Sequence, residues 1–131
     1  MNNTTKKYII FGVLIAAVVG IMIFNRSRSY RLAAQLANDS IVGGGKPVLL
    51  QLGAHWCPPC RKQLPVMVEL SDQQNEFLTA FLDVDKNPQK AGSYDVETIP
   101  LLIFFDADGN ELARHTGFWP KNEILSTWKE L

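Results

Sequence analysis

Hydrophobic residues are distributed along this chain in two different ways. Residues 8–24 form one unbroken apolar run, YIIFGVLIAAVVGIMIF, without a charged side chain. From residue 46 onward they come in short bursts. Residues 48–52 (VLLQL) have the length of a buried strand. In 58–75, Leu64, Met67, Val68 and Leu70 recur at three- and four-residue steps, which predicts a helix opened by Pro58 or Pro59. Residues 77–84 (FLTAFLDV) predict a second strand, 88–94 a short helix and 101–105 (LLIFF) a third strand. Residues 106–110 (DADGN) predict a hairpin turn with Gly109 at positive φ. A fourth strand over 111–116 and a last helix over 121–131 follow, the latter with Ile124, Leu125 and Trp128 on one side. This order predicts an α/β fold with a mixed central sheet flanked by helices.

As a helix, the seventeen residues 8–24 cover about 25 Å, close to the roughly 30 Å of a bilayer core. Lys6 and Lys7 flank one end, Arg26 and Arg28 the other, and Tyr8 sits where an interfacial aromatic belongs. A buried core helix is disfavoured, because the 86 residues from 46 on could hardly wrap it. A cleaved leader would have a shorter apolar run followed by small residues; here IFNRSRSY follows. The expectation is therefore an uncleaved, single-pass anchor over 8–24, after a short tail over 1–7. A linker over 25–45 follows, with amphipathic RLAAQLAN at 31–38 and a flexible Gly43-Gly44-Gly45 join. The folded domain then occupies 46–131. Flanking charge is nearly balanced across the anchor, so it does not orient it. Gly12, Ala16 and Gly20 at four-residue spacing would suit helix pairing, though glycine is common in such helices.

The chain has 131 residues, with 13 basic and 13 acidic groups and 47% hydrophobic residues. That composition excludes a disordered chain. Zero net charge argues against nucleic acid as a partner. The balance conceals an asymmetry: residues 1–45 carry a net +4 and residues 46–131 a net −4.

Both cysteines lie in Trp56-Cys57-Pro58-Pro59-Cys60, between a predicted strand and a predicted helix. Haem attachment would need histidine after Cys60, where Arg61 stands. A zinc site could draw only on His55, Cys57, Cys60 and His115, at irregular spacing. Two buried structural cysteines are the plain alternative. Dithiol–disulfide exchange fits best. Proline opens a helix without losing a hydrogen bond, which leaves Cys57 at the helix N-terminus, where free N–H groups and the dipole favour a thiolate. Cys57 would attack a substrate disulfide and Cys60, one turn on, would resolve the mixed disulfide. His55, if protonated, would raise the thiolate fraction at Cys57; otherwise it is an exposed loop residue. Neither a metal nor a cofactor is expected.

Residues 46–131 resemble the thioredoxin family over nearly their whole length. WCPPC matches the family's W-C-x-P-C. Pro65 matches its helix-kinking proline, Asp85-Lys86-Asn87-Pro88 its D-x-N-P, Ile99-Pro100 its cis-proline segment, and Gly109 and Gly117 its late glycines. The family's first strand looks absent, and residues 31–38 stand where part of its first helix would be. The resemblance implies a cis Pro100 beside the disulfide, with Trp56, Pro58 and Pro59 as active-site support. It implies a docking surface for substrate backbone at Ile99 and Gly117, with Phe118 and Trp119 either added to it or packing a strand end. Two charges of the family are missing: Gln51 replaces its buried aspartate and Phe81 its buried lysine, so the proton of Cys60 needs another route. Leu101 stands where threonine is usual. Cytochrome c maturation thioredoxins resemble the chain in WCPPC, but their insert between Cys60 and Pro100 is missing and Gln63 stands near their acid. FFDADGNE and HTGFWPKNEI resemble the C-terminal thioredoxin-like domain of the DsbD transmembrane reductase.

Together these readings predict a membrane-tethered thiol–disulfide oxidoreductase on the periplasmic side. Its partners would be disulfide-containing client proteins and an upstream reductant. The competing class is a non-catalytic protein that binds copper, zinc or a client chain through the same cysteines.

Overall fold

The computed structural model describes residues 2–131. Its longest element is helix α1 (Asn3–Ala33), 31 residues without a break. All of α1 up to Arg28 is solvent-exposed, whereas Ser29 is buried. An apolar helix with no protein around it is what the unbroken run of hydrophobic residues requires of a segment that does not belong to a core.

The remainder folds as β1 (Val48–Gly53), α2 (Pro58–Gln73), β2 (Leu78–Asp83), α3 (Pro88–Ser93), β3 (Leu101–Phe105), β4 (Glu111–Thr116) and α4 (Lys121–Glu130). The sheet order is β2-β1-β3-β4. β1 runs parallel to β2 and antiparallel to β3, and β3 runs antiparallel to β4, so the sheet is mixed, as the element order predicts. β1 and β3 are central and buried on both faces, which is why they are nearly continuous apolar runs.

The pleat sends alternate residues to opposite faces. Val48, Leu50 and Leu52 join Ala80, Leu82, Leu101 and Ile103 on one face, covered by Ile41, Val42, Tyr94 and Val96. Leu49, Leu102 and Phe104 face the other way, against Met67 and Leu70 of α2 and Ile124 of α4. Each such buried aliphatic side chain contributes about 1.5–3 kcal/mol through loss of water contact. Pro65 lies inside α2, where it removes one backbone hydrogen bond without ending the helix.

Three expectations change. Residues 31–38 do not form a helix of their own: Arg31 to Ala33 complete α1, and Ala37 makes a single parallel β-bridge to Ala80, with Phe81 N–H donating to its carbonyl at 2.9 Å. One residue thus covers the outer edge of β2. The glycine triplet is not a free join. Gly43 and Gly45 have φ of 76° and 90°, Gly45 N–H donates to Ala107 at 3.0 Å, and Gly43 packs on Gly109. The expected tail over 1–7 is helical from residue 3; Met1 lies outside the described residues.

Candidate active site

β1 ends at Gly53 and α2 begins at Pro58, so Cys57 is the N-cap of α2. The two prolines fill the first helical positions, where a missing N–H costs nothing. Cys57 and Cys60 are joined as a disulfide with Cα atoms 5.3 Å apart. Cys57 is 4% exposed and Cys60 is fully buried, so only the first sulfur has any access to a partner. Cys60 N–H points at Cys57 Sγ at 3.4 Å. In the reduced protein that donor and the helix dipole favour a thiolate at Cys57.

Beneath the pair, Gln51 is completely buried and its Nε2 donates to the Cys60 carbonyl at 3.0 Å. Its Oε1 has no hydrogen-bond partner among the described residues. Gln51 faces Phe81 across the β1–β2 ladder, so no ionisable group stands at either position. Gly53 is required by close approach: a Cβ there would sit 3.2 Å from both Cβ and Sγ of Cys60.

The Ile99–Pro100 peptide bond is cis. Ile99 packs against the cluster of Ala54, Cys57 and Cys60. Pro100 is buried, and its carbonyl accepts a 2.8 Å hydrogen bond from Gly117 N–H. Ile99 and Gly117 are therefore brought together at the same end of the sheet as the disulfide. Gly117 has φ of 93°, a conformation that favours glycine. Pro58 and Pro59 are exposed beside the pair, and Trp56 is 66% exposed, its indole N–H donating to Asp85 at 2.6 Å.

Two candidates behave differently from expectation. His55 is not an exposed loop residue. It is 7% exposed, with Nε2 3.3 Å from Asp83 Oδ2 and Nδ1 2.6 Å from Ser29 Oγ. Tyr30 stacks on its ring at 3.8 Å between centroids. Burial pushes its pKa below 6.5, only partly opposed by Asp83, which disfavours the charged ring. A neutral ring with its proton on Nε2 donates to Asp83 and accepts from the Ser29 hydroxyl. Trp119 is buried against Phe104 and stacked by His115, which makes it core rather than docking surface. Phe118 is half-buried, with Lys62 over its ring. Gln63 holds this segment by accepting from Trp119 N–H at 2.7 Å and donating to its carbonyl at 3.0 Å. His115 is turned to the Phe118 carbonyl, so it does not converge with His55 and the cysteines.

Sequence reasoning misses Ser29, Tyr30 and Asp83. The only available signal is His55 itself, since a histidine buried next to an active-site loop needs polar partners.

A dithiol–disulfide pair capping a helix, with a cis-proline segment packed against it on a mixed sheet, defines a protein built for thiol–disulfide exchange. The Thioredoxin family matches residues 31–130. Thioredoxin of Mycobacterium tuberculosis is 40% identical over 93 residues, covering 70% of this chain and 78% of that protein. Thioredoxin of Mycoplasmoides gallisepticum is 31% identical over 91 residues, covering 70% and 90%. The bifunctional thioredoxin reductase/thioredoxin of Mycobacterium leprae is 38% identical over 86 residues, which are 65% of this chain and only 19% of that longer protein. Among solved structures, a mutant thioredoxin from Halobacterium salinarum aligns with a TM-score of 0.64 at 28% identity, covering 70% of this chain and 80% of that one. The chain belongs to the thioredoxin family and is a thiol–disulfide oxidoreductase. The family match begins at Arg31, inside the last turn of α1, rather than at residue 46.

Proposed function

We propose that this protein is a membrane-tethered thioredoxin that reduces disulfides of extracytoplasmic proteins. The observation that carries it is continuity. The helix that contains the apolar run 8–24 runs without a break into the residues that touch the active-site loop. Its length and composition suit a membrane span, and none of its most apolar stretch is buried among the described residues. The outward orientation rests on the likeness to anchored relatives.

The chemistry follows from the unequal burial of the two sulfurs. In the reduced protein, the Cys57 thiolate attacks one sulfur of a client disulfide. A Cys57–client bond forms, the client bond breaks, and the departing client sulfur leaves as a thiolate that takes up a proton. Cys60, deprotonated, then attacks Cys57 Sγ; the intramolecular disulfide forms and the second client thiol is released. Two electrons pass from the pair to the client; Cys60 gives up one proton, and the solvent, which took the Cys57 proton on ionisation, supplies the other. Gln51 is an amide and cannot take the Cys60 proton, so that proton leaves by solvent or to the departing client thiolate. The backbone of Ile99 and Gly117 offers the client an edge beside Cys57, while Trp56, Pro58, Pro59 and Pro100 shape the approach. An upstream reductant must return two electrons per cycle.

Two measurements test this. In the full chain, Cys60→Ala should trap clients as mixed disulfides on Cys57; absence of any captured thiol partner would sink the exchange reading. The reduction potential of the Cys57–Cys60 couple should lie near the roughly −270 mV of thioredoxin. A value near the roughly −120 mV of the oxidant DsbA would reverse the direction of electron flow.

A further inference from the structure

Residues 46–131 carry eight basic and twelve acidic side chains, an acidic domain that an anionic surface should repel. The distribution is uneven. Two clefts open where α1 meets the domain. One, of about 520 Å³, is lined by Met22 and Arg26 of α1 together with Trp56, Arg61 and Lys86, and by Asp83 and Asp85. The other, of about 300 Å³, is lined by Arg28, Arg61 and Lys62 without any carboxylate. The two carboxylates of the first cleft are engaged: Asp83 with His55 and Lys86, Asp85 with the Trp56 indole.

The height of these groups along α1 is informative. Met22 lies within the apolar run, which ends at Phe24, yet it shares a cleft with Trp56. Arg26 and Arg28 lie about 3–6 Å further along the helix. That is the depth of the headgroup layer, about 5–7 Å thick on each side of a bilayer. The domain is fixed at this height. Ser29 and Tyr30 clasp His55, one residue from Trp56 and two from Cys57. The active-site loop therefore hangs alongside α1 down to the level where hydrocarbon ends.

We infer that the rim of the active site is a lipid-contacting surface, with Trp56 seated in the membrane interface and Arg28 and Arg61 holding anionic headgroup phosphates. An amphipathic ring with one polar edge is the side chain such a depth selects, and clustered arginines are what phosphates select. This rests on the membrane-tethered reading and sharpens it: the disulfide works at the bilayer surface, so its exchange partners present their cysteines there.

The experiment uses the full chain in bilayers with or without phosphatidylglycerol, with acyl chains brominated close to the headgroup. Flotation with the vesicles after a carbonate wash is scored first. Trp56→Phe then isolates Trp56 emission from that of Trp119 and Trp128. Quenching of the Trp56 component, stronger with phosphatidylglycerol, is the expected result. Arg28→Gln and Arg61→Gln should each weaken contact with the anionic surface about fivefold, which corresponds to about 1 kcal/mol per basic residue. A floating protein whose Trp56 is unquenched overturns the lipid-contact inference and leaves the tether standing. Failure to float overturns the tether itself. Free inorganic phosphate binding at Arg28 and Arg61 as well without a bilayer would mark a soluble-anion site and overturn the lipid assignment.

Discussion

The two ends of the sheet solve different problems with similar materials. At the end where β1 and β2 finish, Gln51, His55 and Asp83 are polar yet shielded from water, and each is tied to the loop that carries the cysteines. At the opposite end, the β3–β4 turn is held by Asp106, whose carboxylate accepts from the N–H of Asp108 and Asn110 at 2.9 and 2.8 Å. The Asn110 side-chain amide also donates to it at 2.9 Å, and this bond first, then the backbone ones, hold the Asp106 carboxyl below its ordinary range. Both ends need a glycine against its neighbours: Gly53 under Cys60 and Gly109 against Gly43. The difference is burial. Polar groups in solvent serve local turn geometry at little cost. Polar groups under the disulfide are expensive to bury, and their presence there marks the end that does chemistry.

The largest effect should come from Cys57. Cys57→Ser should reduce disulfide exchange to the uncatalysed rate while leaving the unfolding midpoint of the reduced protein nearly unchanged. Insulin reduction with thermal unfolding in parallel checks both. A variant that unfolds early would show that the pair's main role at this end is structural.

Next comes Gln51, which distinguishes a structural from a chemical polar group. Gln51→Ala removes a buried donor to the Cys60 carbonyl and leaves a cavity, for an expected cost of about 2–3 kcal/mol. Chemical denaturation of oxidised and reduced protein measures it. Unchanged stability would mean that the Gln51 bond is not formed in solution.

Much of this was legible in the sequence, for reasons that differ by residue. Strands β1 and β3 announce themselves because burial on both faces leaves no room for polar positions. The cysteine pair is legible because its spacing and the flanking prolines are local. The docking of α1 is not. Ser29 sits in a polar stretch, NRSRSY, whose pattern is that of a solvated linker, and its partner His55 is 26 residues away. Periodicity carries no record of such contacts. Gly43-Gly44-Gly45 looks flexible for the same reason: only the folded hairpin shows what the positive φ angles at Gly43 and Gly45 are for. Trp119 reads equally as docking or strand-end packing until Gln63 is seen holding its backbone from α2.

The opposite end should respond to Gly109→Ala, which combines φ of 90° with a Cβ 3.2 Å from the Gly43 Cα. The expected loss is about 1–2 kcal/mol, from left-handed strain on a side chain. Reduction potential and exchange rate should not move, because nothing at this end reaches the sulfurs. A shifted potential would show that the two ends are coupled through the sheet.

The smallest effect concerns pH and tests the clasp between α1 and the active-site loop. His55 has a folded pKa below its ordinary 6.5, mainly because it is buried. Between that lowered value and 6.5 the unfolded chain binds a proton that the folded protein does not. Stability therefore rises with pH across this interval; it is fully present above 6.5 and lost as pH falls through the folded value. Its upper end, 6.5, lies above the ordinary 4.5 of the carboxylates that are held low, Glu69 by its hydrogen bond with Lys121 and Glu111 by its hydrogen bond with Arg114. Unfolding midpoints of the full chain in detergent should therefore decline on acidification below 6.5, and His55→Asn should flatten that decline. The same acidification should loosen Ser29 and Tyr30 first, since protonating the ring removes the acceptor for the Ser29 hydroxyl at Nδ1. Amide exchange at residues 29–33 should rise before that of β1. If both segments open together at every pH, the clasp is part of the global fold, and α1 and the redox site are a single cooperative unit.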